Sequence, residues 1–346
     1  MVVFFRNQDA LALAWSFALD SLATSTKTAY LAAWTKFRSI SKQMGIIPLP
    51  ISAKDFAAVI SFYASKERKL PSTMAMILAV SFAHTVNGFN FPSQDLTFLL
   101  VLKGIWKKTF TTPKRAIPMT SATVSSLVEG LLGEDLFVDS FYYASLSDWR
   151  TAAQTVISFY ALARFDCLTK LTPDCCAFFD NLVVINFPRG KTDQIGEGSS
   201  VSVHRSPSGF CPVHFLESYL KRLSWEFKLE FLDGNYAGPL FPTLTVRKIA
   251  SRFGDAVTEL PSAPKPFSHS GATLALRKDL NRIGHPQANL FTMHSGRRAG
   301  ASTAVTNGCD LLTLKRQGRW KSDACPKLYV DEHVSINTDF TKFLSG

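Results

Sequence analysis

Apolar residues recur every three to four positions through the first hundred residues. Leu11, Ala14, Trp15, Ala18 and Leu22 share one helical face, and Tyr30, Leu31, Trp34 and Phe37 share another. Ser25-Thr26-Lys27-Thr28 offers an N-cap between the two. Two more helices are predicted over Lys54–Ser65 and Ser72–Val86. Pro71 to Gln94 lacks Lys, Arg, Asp and Glu, but His84, Asn87, Gly88, Asn90 and Pro92 interrupt it. It therefore reads as a buried helix rather than a membrane span.

A basic stretch follows, with Lys103, Lys107 and Lys108, and then Thr111-Thr112-Pro113-Lys114-Arg115-Ala116-Ile117-Pro118. This is a linker that would lie well along a phosphate backbone. Thr120-Ser121 caps the next helix. Asp148 to Leu171 contains neither Gly nor Pro and predicts one long helix. The period then drops to two: Leu182–Phe187 and Ser200–Arg205, with Val201 and Val203 alternating, form a hairpin turning through 188–198. Helices are expected near 212–228, opened by Pro212 after Cys211, near 245–256 and near 270–283, followed by three short ones. The fold class is mainly α with a small antiparallel β-sheet: a helical unit over 1–112 with its basic linker, and an α+β unit over 113–346.

Composition narrows the partners. The 346 residues hold 38 Lys plus Arg against 27 Asp plus Glu, a formal net charge of +11. A surplus of that size favours a polyanion, most often nucleic acid. Lys27, Lys36, Lys107, Lys108, Lys114, Arg115 and Arg298 are the candidate DNA contacts; a solvated rim is the plainer account of each. The six cysteines include one adjacent pair, Cys175-Cys176, and no C-x-x-C, as in a reduced, intracellular protein. Cys211 and His214 form a C-x-x-H pair without a matching second pair, so no metal site is expected. The N-terminus lacks the pattern of a cleaved signal peptide.

Six residues stand out chemically. Arg164 falls on an apolar helical stripe with Ile157, Tyr160 and Leu168; it needs a buried anion or ligand phosphate, unless it snorkels or pairs internally. Lys191 sits in the hairpin turn, where a solvated lysine is the common case. Ser295 can cap a helix running to about Thr306, which puts Arg297 in its first turn and His294 just before it, where free amides favour a phosphate. Trp320 and Tyr329 follow, the latter on a short helix opened near Cys325-Pro326. His294, Arg297, Trp320 and Tyr329 are separated by three, 23 and nine positions.

The ordered series A-R-F-D-C-L-T-K-L, G-K-T-D-Q-I-G-E-G, H-S-G-R-R, G-R-W and a tyrosine nine positions on resembles the tyrosine recombinases, also called phage integrases. S-T-K-T-A-Y, H-S-G-R-R-A-G and the Trp in place of a second His are similar to the DIRS-type and Crypton-type mobile-element branch. The resemblance implies a helical, SAM-like core-binding domain ahead of an α+β catalytic domain. It implies that Arg164 and Arg297 clamp the scissile phosphate and that His294 and Trp320 donate to its oxygens. Lys191 would protonate the departing 5′-hydroxyl, and Tyr329 would be the nucleophile. It also implies double-stranded DNA as partner and a homo-oligomer, a dimer on a site and a tetramer in the synapse. The chemistry needs no cofactor, because a phosphotyrosyl link keeps the phosphoester energy. Localisation would follow the host, nuclear in a eukaryote and cytoplasmic in a prokaryote or phage.

Cys167 departs from the family, which commonly has an acidic residue three positions after the first arginine. The competing functions are a topoisomerase IB-like strand transferase, a domesticated DNA-binding protein and a metal-dependent nuclease. The last would need paired carboxylates that the sequence does not present.

Overall fold

The computed structural model describes residues 13, 16–67, 70–110, 116–133, 144–188, 197–206, 210–227, 236, 238–248, 256–259 and 264–329. The chain divides into two compact units, Met1–Lys114 and Arg115–Gly346.

In the first unit four helices are described: α1 (Thr24–Gln43), α2 (Ala53–Glu67), α3 (Leu70–Val86) and α4 (Leu96–Thr109). Their apolar faces meet around Phe56, whose ring packs against Phe37, Phe91 and Phe98. Helix α1 begins one residue earlier than its Ser/Thr run suggests, behind Ala23 and without a side-chain cap. His84 is fully buried. Its Nε2 accepts from the Ile51 amide at 3.1 Å, which leaves Nδ1 to donate to the Val80 carbonyl at 2.8 Å. The charge-free α3 is thus core, and no described helix is long and apolar enough to cross a membrane.

The second unit is built around α6 (Leu146–Tyr160), which is buried along nearly its whole length. The elements that precede and flank it are α5 (Ser121–Leu132), α7 (Phe165–Leu168), α8 (Pro212–Phe227), α9 (His269–Arg282), α10 (His294–Thr306) and α11 (Leu311–Gly318). Of these, α5, α8, α9 and α10 pack directly on α6. Thr120 caps α5 through the Thr123 amide. The sheet is antiparallel in the order β1 (Cys176–Phe178), β2 (Leu182–Phe187), β3 (Ser199–His204), with Ile185 opposite Val201. Val183, Ile185 and Phe187 point inward together with Val201 and Val203, the period of two seen in the sequence.

Two sequence expectations fail here. The helix near 245–256 is instead a strand, β4 (Thr245–Lys248), paired antiparallel with β5 (Ala256–Glu259). Its Thr-Val pair suits a strand better than a helix. The single helix over Asp148–Leu171 is broken: α6 ends at Tyr160, the chain turns through Ala161 to Arg164, and α7 begins at Phe165. Leu162 takes a left-handed φ of 45° in this turn. Nothing local compels that break, since no Gly or Pro is present.

Candidate active site

The broken end of α6 explains the site. The last carbonyls of a helix have no partner within it and must find donors elsewhere. Here the donors are long side chains from α11 and α10. Gln317 Nε2 donates to the Tyr160 carbonyl at 3.0 Å, and Arg319 Nη1 to the Ala161 carbonyl at 3.0 Å. The Leu162 carbonyl accepts from both Arg319, at 3.2 Å, and Arg297. Cations at a helix C-terminus also meet the negative end of its dipole. The turn they stabilise puts Arg164 at the N-cap of α7, half-buried, and not on the stripe of a continuous helix as its spacing suggested.

Arg297 lies in the first turn of α10 and is 5% exposed. Its second amino group donates to the Gly318 carbonyl at 2.8 Å, and its guanidinium stacks 4.4 Å over the Trp320 ring. Trp320 in turn faces Tyr329, with ring centroids 5.7 Å apart. Gly318 is required here: a Cβ on it would come within 1.9 Å of the indole. Tyr329 lies on a helical run whose described part covers 324–329. His294 is the first residue of α10 and is exposed; Met293, not Ser295, is the N-cap, because the Ser295 hydroxyl faces back to accept from the Thr292 amide at 3.0 Å.

Arg164, His294, Arg297, Arg298, Trp320 and Tyr329 line one cavity of about 380 Å³, closed by Ala116, Cys325 and Leu328. Among the described residues no carboxylate pairs with Arg164, Arg297 or Arg319. Burial, together with the Arg164 and Arg319 charges, pushes Arg297 down to about 9. Burial, together with Arg164, pushes Arg319 down to about 10. Cations crowded without a counter-ion make a pocket that gains by taking up an anion. Tyr329 and the buried Cys167 both favour the protonated form of Arg297, and Cys167 favours that of Arg319.

The remaining sequence candidates are scattered. Lys191 lies outside the described residues, as do Lys114 and Arg115. Lys107 and Lys108 are exposed at the end of α4. Lys27 pairs with Asp20 at 2.7 Å, and Lys36 lies 4.8 Å over the Tyr63 ring. Arg298 donates to the Ala116 carbonyl at 3.3 Å. His214 lies 3.8 Å from Glu217, and among the described residues no group of His, Cys, Asp and Glu is placed to hold a metal ion.

Three residues escaped the sequence reading. Arg319 was hidden beside the more conspicuous Trp320, and Leu162 carries no signal in its residue type. His269 opens α9 behind a Ser268 cap; its ring is 6.0 Å from His294 and edge-on to Phe165 at 5.1 Å. Only the capping serine hinted that His269 begins a helix.

The second unit is helical with a small edge sheet and brings two arginines, a histidine and a tyrosine to one cavity, the arrangement that the resemblance to the tyrosine recombinases implies. The chain is 24% identical over 333 residues to an integrase/recombinase xerD homolog of Selenomonas ruminantium, covering 94% of this chain and 87% of that one. Its fold is similar to the Tn1549 transposon integrase in complex with transposon right-end DNA (TM-score 0.57, 14% identity, 89% of each chain). It is also similar to the XerH site-specific recombinase bound to its difH substrate (TM-score 0.54, 13% identity, 90% of this chain and 79% of that one). A lambda integrase dimer bound to a core site matches at a TM-score of 0.51, with 14% identity over 90% of each chain. No protein-family model matches the chain.

Proposed function

We propose that the protein is a site-specific DNA recombinase that cleaves and rejoins strands through a 3′-phosphotyrosyl intermediate. The observation that carries this is the convergence of Arg164, His294, Arg297 and Tyr329 on one cavity. The Tyr329 oxygen attacks the phosphorus and gives up its proton to solvent as it does so, since a free phenol has a pKa of about 10. The bond to the 5′-oxygen breaks. Arg164 and Arg297 neutralise the non-bridging oxygens as charge builds on them; such arginines contribute about 10³ to 10⁵ in rate. His294 and the Trp320 N–H donate to the same group. The departing 5′-oxygen takes a proton from Lys191. Resealing runs the steps backwards onto another 5′-hydroxyl, so the phosphoester energy is conserved.

Exchange between two duplexes cuts four strands, and each protomer has one Tyr329. The active assembly is therefore a tetramer, a dimer on each site, working wherever the target DNA resides. Membership of the DIRS-type or Crypton-type branch rests on the S-T-K-T-A-Y and H-S-G-R-R-A-G signatures. The test is covalent trapping on a nicked suicide duplex. The wild-type chain should form an adduct that survives denaturation, and Tyr329→Phe should form none. An adduct persisting in Tyr329→Phe removes Tyr329 as nucleophile.

A further inference from the structure

Arg319 occupies a place that favours glycine. It follows α11 in the left-handed region, φ 54°, where an L side chain is strained. Its amide and that of Trp320 close the helix on the Arg316 and Lys315 carbonyls, a task glycine performs without strain. The side chain therefore has its own role. Its guanidinium does not project into the cavity as a phosphate ligand would. It donates inward to the Ala161, Leu162 and Gln317 carbonyls, at 3.0, 3.2 and 3.4 Å. Its flat face lies 4.0 Å over the Phe187 ring at the end of β2. The Leu162 carbonyl is shared with Arg297, so one oxygen ties both guanidiniums to the turn preceding Arg164.

We infer that Arg319 is a positioning residue for strand cleavage: with Arg297 it fixes the turn at Ala161–Leu162 that aims Arg164 at the phosphate, and through Phe187 it holds the end of β2 in the same frame. A lysine keeps the charge but has neither the planar fork for two carbonyls nor the flat face for the ring. An Arg319→Lys variant therefore separates positioning from charge.

The inference rests on the cleavage reading above. The experiment measures single-turnover adduct formation on the nicked duplex, and DNA affinity across a salt series. Variants are Arg319→Lys, Arg164→Lys and the two combined. Arg319→Lys should slow adduct formation by about 10- to 100-fold, the range expected when reacting groups are misplaced by up to ~1 Å. DNA affinity and its salt slope should not move. The double variant should be no slower than Arg164→Lys alone, because a turn without its arginine has nothing left to misaim.

Three results overturn it. One is a wild-type rate in Arg319→Lys, which would leave only charge. Another is affinity falling in step with rate, which would make Arg319 a DNA contact. The third is a double variant whose losses multiply, which would mean the residue acts independently of Arg164. If Arg319→Lys does not fold, Phe187→Leu removes the stacking platform while keeping an apolar side chain in the core, and carries the same expectations and refutations. Loss of adduct in Tyr329→Phe beside a wild-type-like Arg319→Lys sinks this inference alone; an adduct surviving in Tyr329→Phe sinks the functional reading instead.

Discussion

Gly300→Ala tests whether the close approach of α10 to α6 sets the catalytic geometry. A Cβ at Gly300 would lie 2.0 Å from the Phe159 carbonyl oxygen and 2.7 Å from Leu162 Cδ2. Ordinary contact begins near 3.4 Å, and the nearer obstacle is backbone that cannot swing aside. The two helices must therefore part by more than about 1 Å. One carries His294 and Arg297; the other leads into the turn that presents Arg164. A misplacement of about 1 Å costs on the order of 10²-fold in rate. Overpacking of this kind costs about 1–3 kcal/mol, and the better helix propensity of alanine returns about 1 kcal/mol. The net loss of about 0–2 kcal/mol lowers Tm by up to roughly 8 °C for a unit of this size. Thermal melts and single-turnover adduct formation measure both effects. Gly104→Ala, where an added Cβ meets nothing within 4 Å, is the control. Adduct formation at the wild-type rate in Gly300→Ala would refute the claim that this helix contact sets the spacing of the arginines.

Two further predictions concern the crowded cations. Cys167→Asp replaces a buried thiol with a carboxylate of similar volume beside guanidiniums that have no carboxylate partner among the described residues. It should raise Tm and reduce the stabilisation that added sulfate gives; an unchanged or lower Tm would show that these charges are already compensated. Sulfate itself should stabilise the DNA-free protein by occupying the cavity. The anion binds the protonated arginines, and Arg297 is pushed down to about 9 in the anion-free site. Stabilisation should thus be full below that pH and fade as pH rises through it. Melts in sulfate against chloride at equal ionic strength, from pH 7 to 10, would contradict this if the difference stayed flat.

Much of the architecture was legible in local pattern. The three-to-four period marks α1, the lack of charge marks α3, the period of two marks β2 and β3, and Thr120 and Pro212 open helices where capping chemistry puts them. The intervals among His294, Arg297, Trp320 and Tyr329 marked one wall of the cavity. These signals are local because a helix face or a cap is set by residues a few positions apart.

The long helix from Asp148 failed as a prediction for the complementary reason. Its break at Tyr160 is stabilised by Gln317, Arg319 and Arg297, which lie between 135 and 158 positions further along the chain. Helix propensity alone would carry α6 onward. The donors that satisfy its terminal carbonyls exist only after α10 and α11 have packed against it. The sequence by itself singled out the residues proposed to carry the chemistry and determined most of the elements that hold the described ones. Only the tertiary structure decided where α6 stops, that Leu162 turns left-handed, and that Arg164 therefore faces the cavity, because the free energy of that turn lies in hydrogen bonds made across the fold.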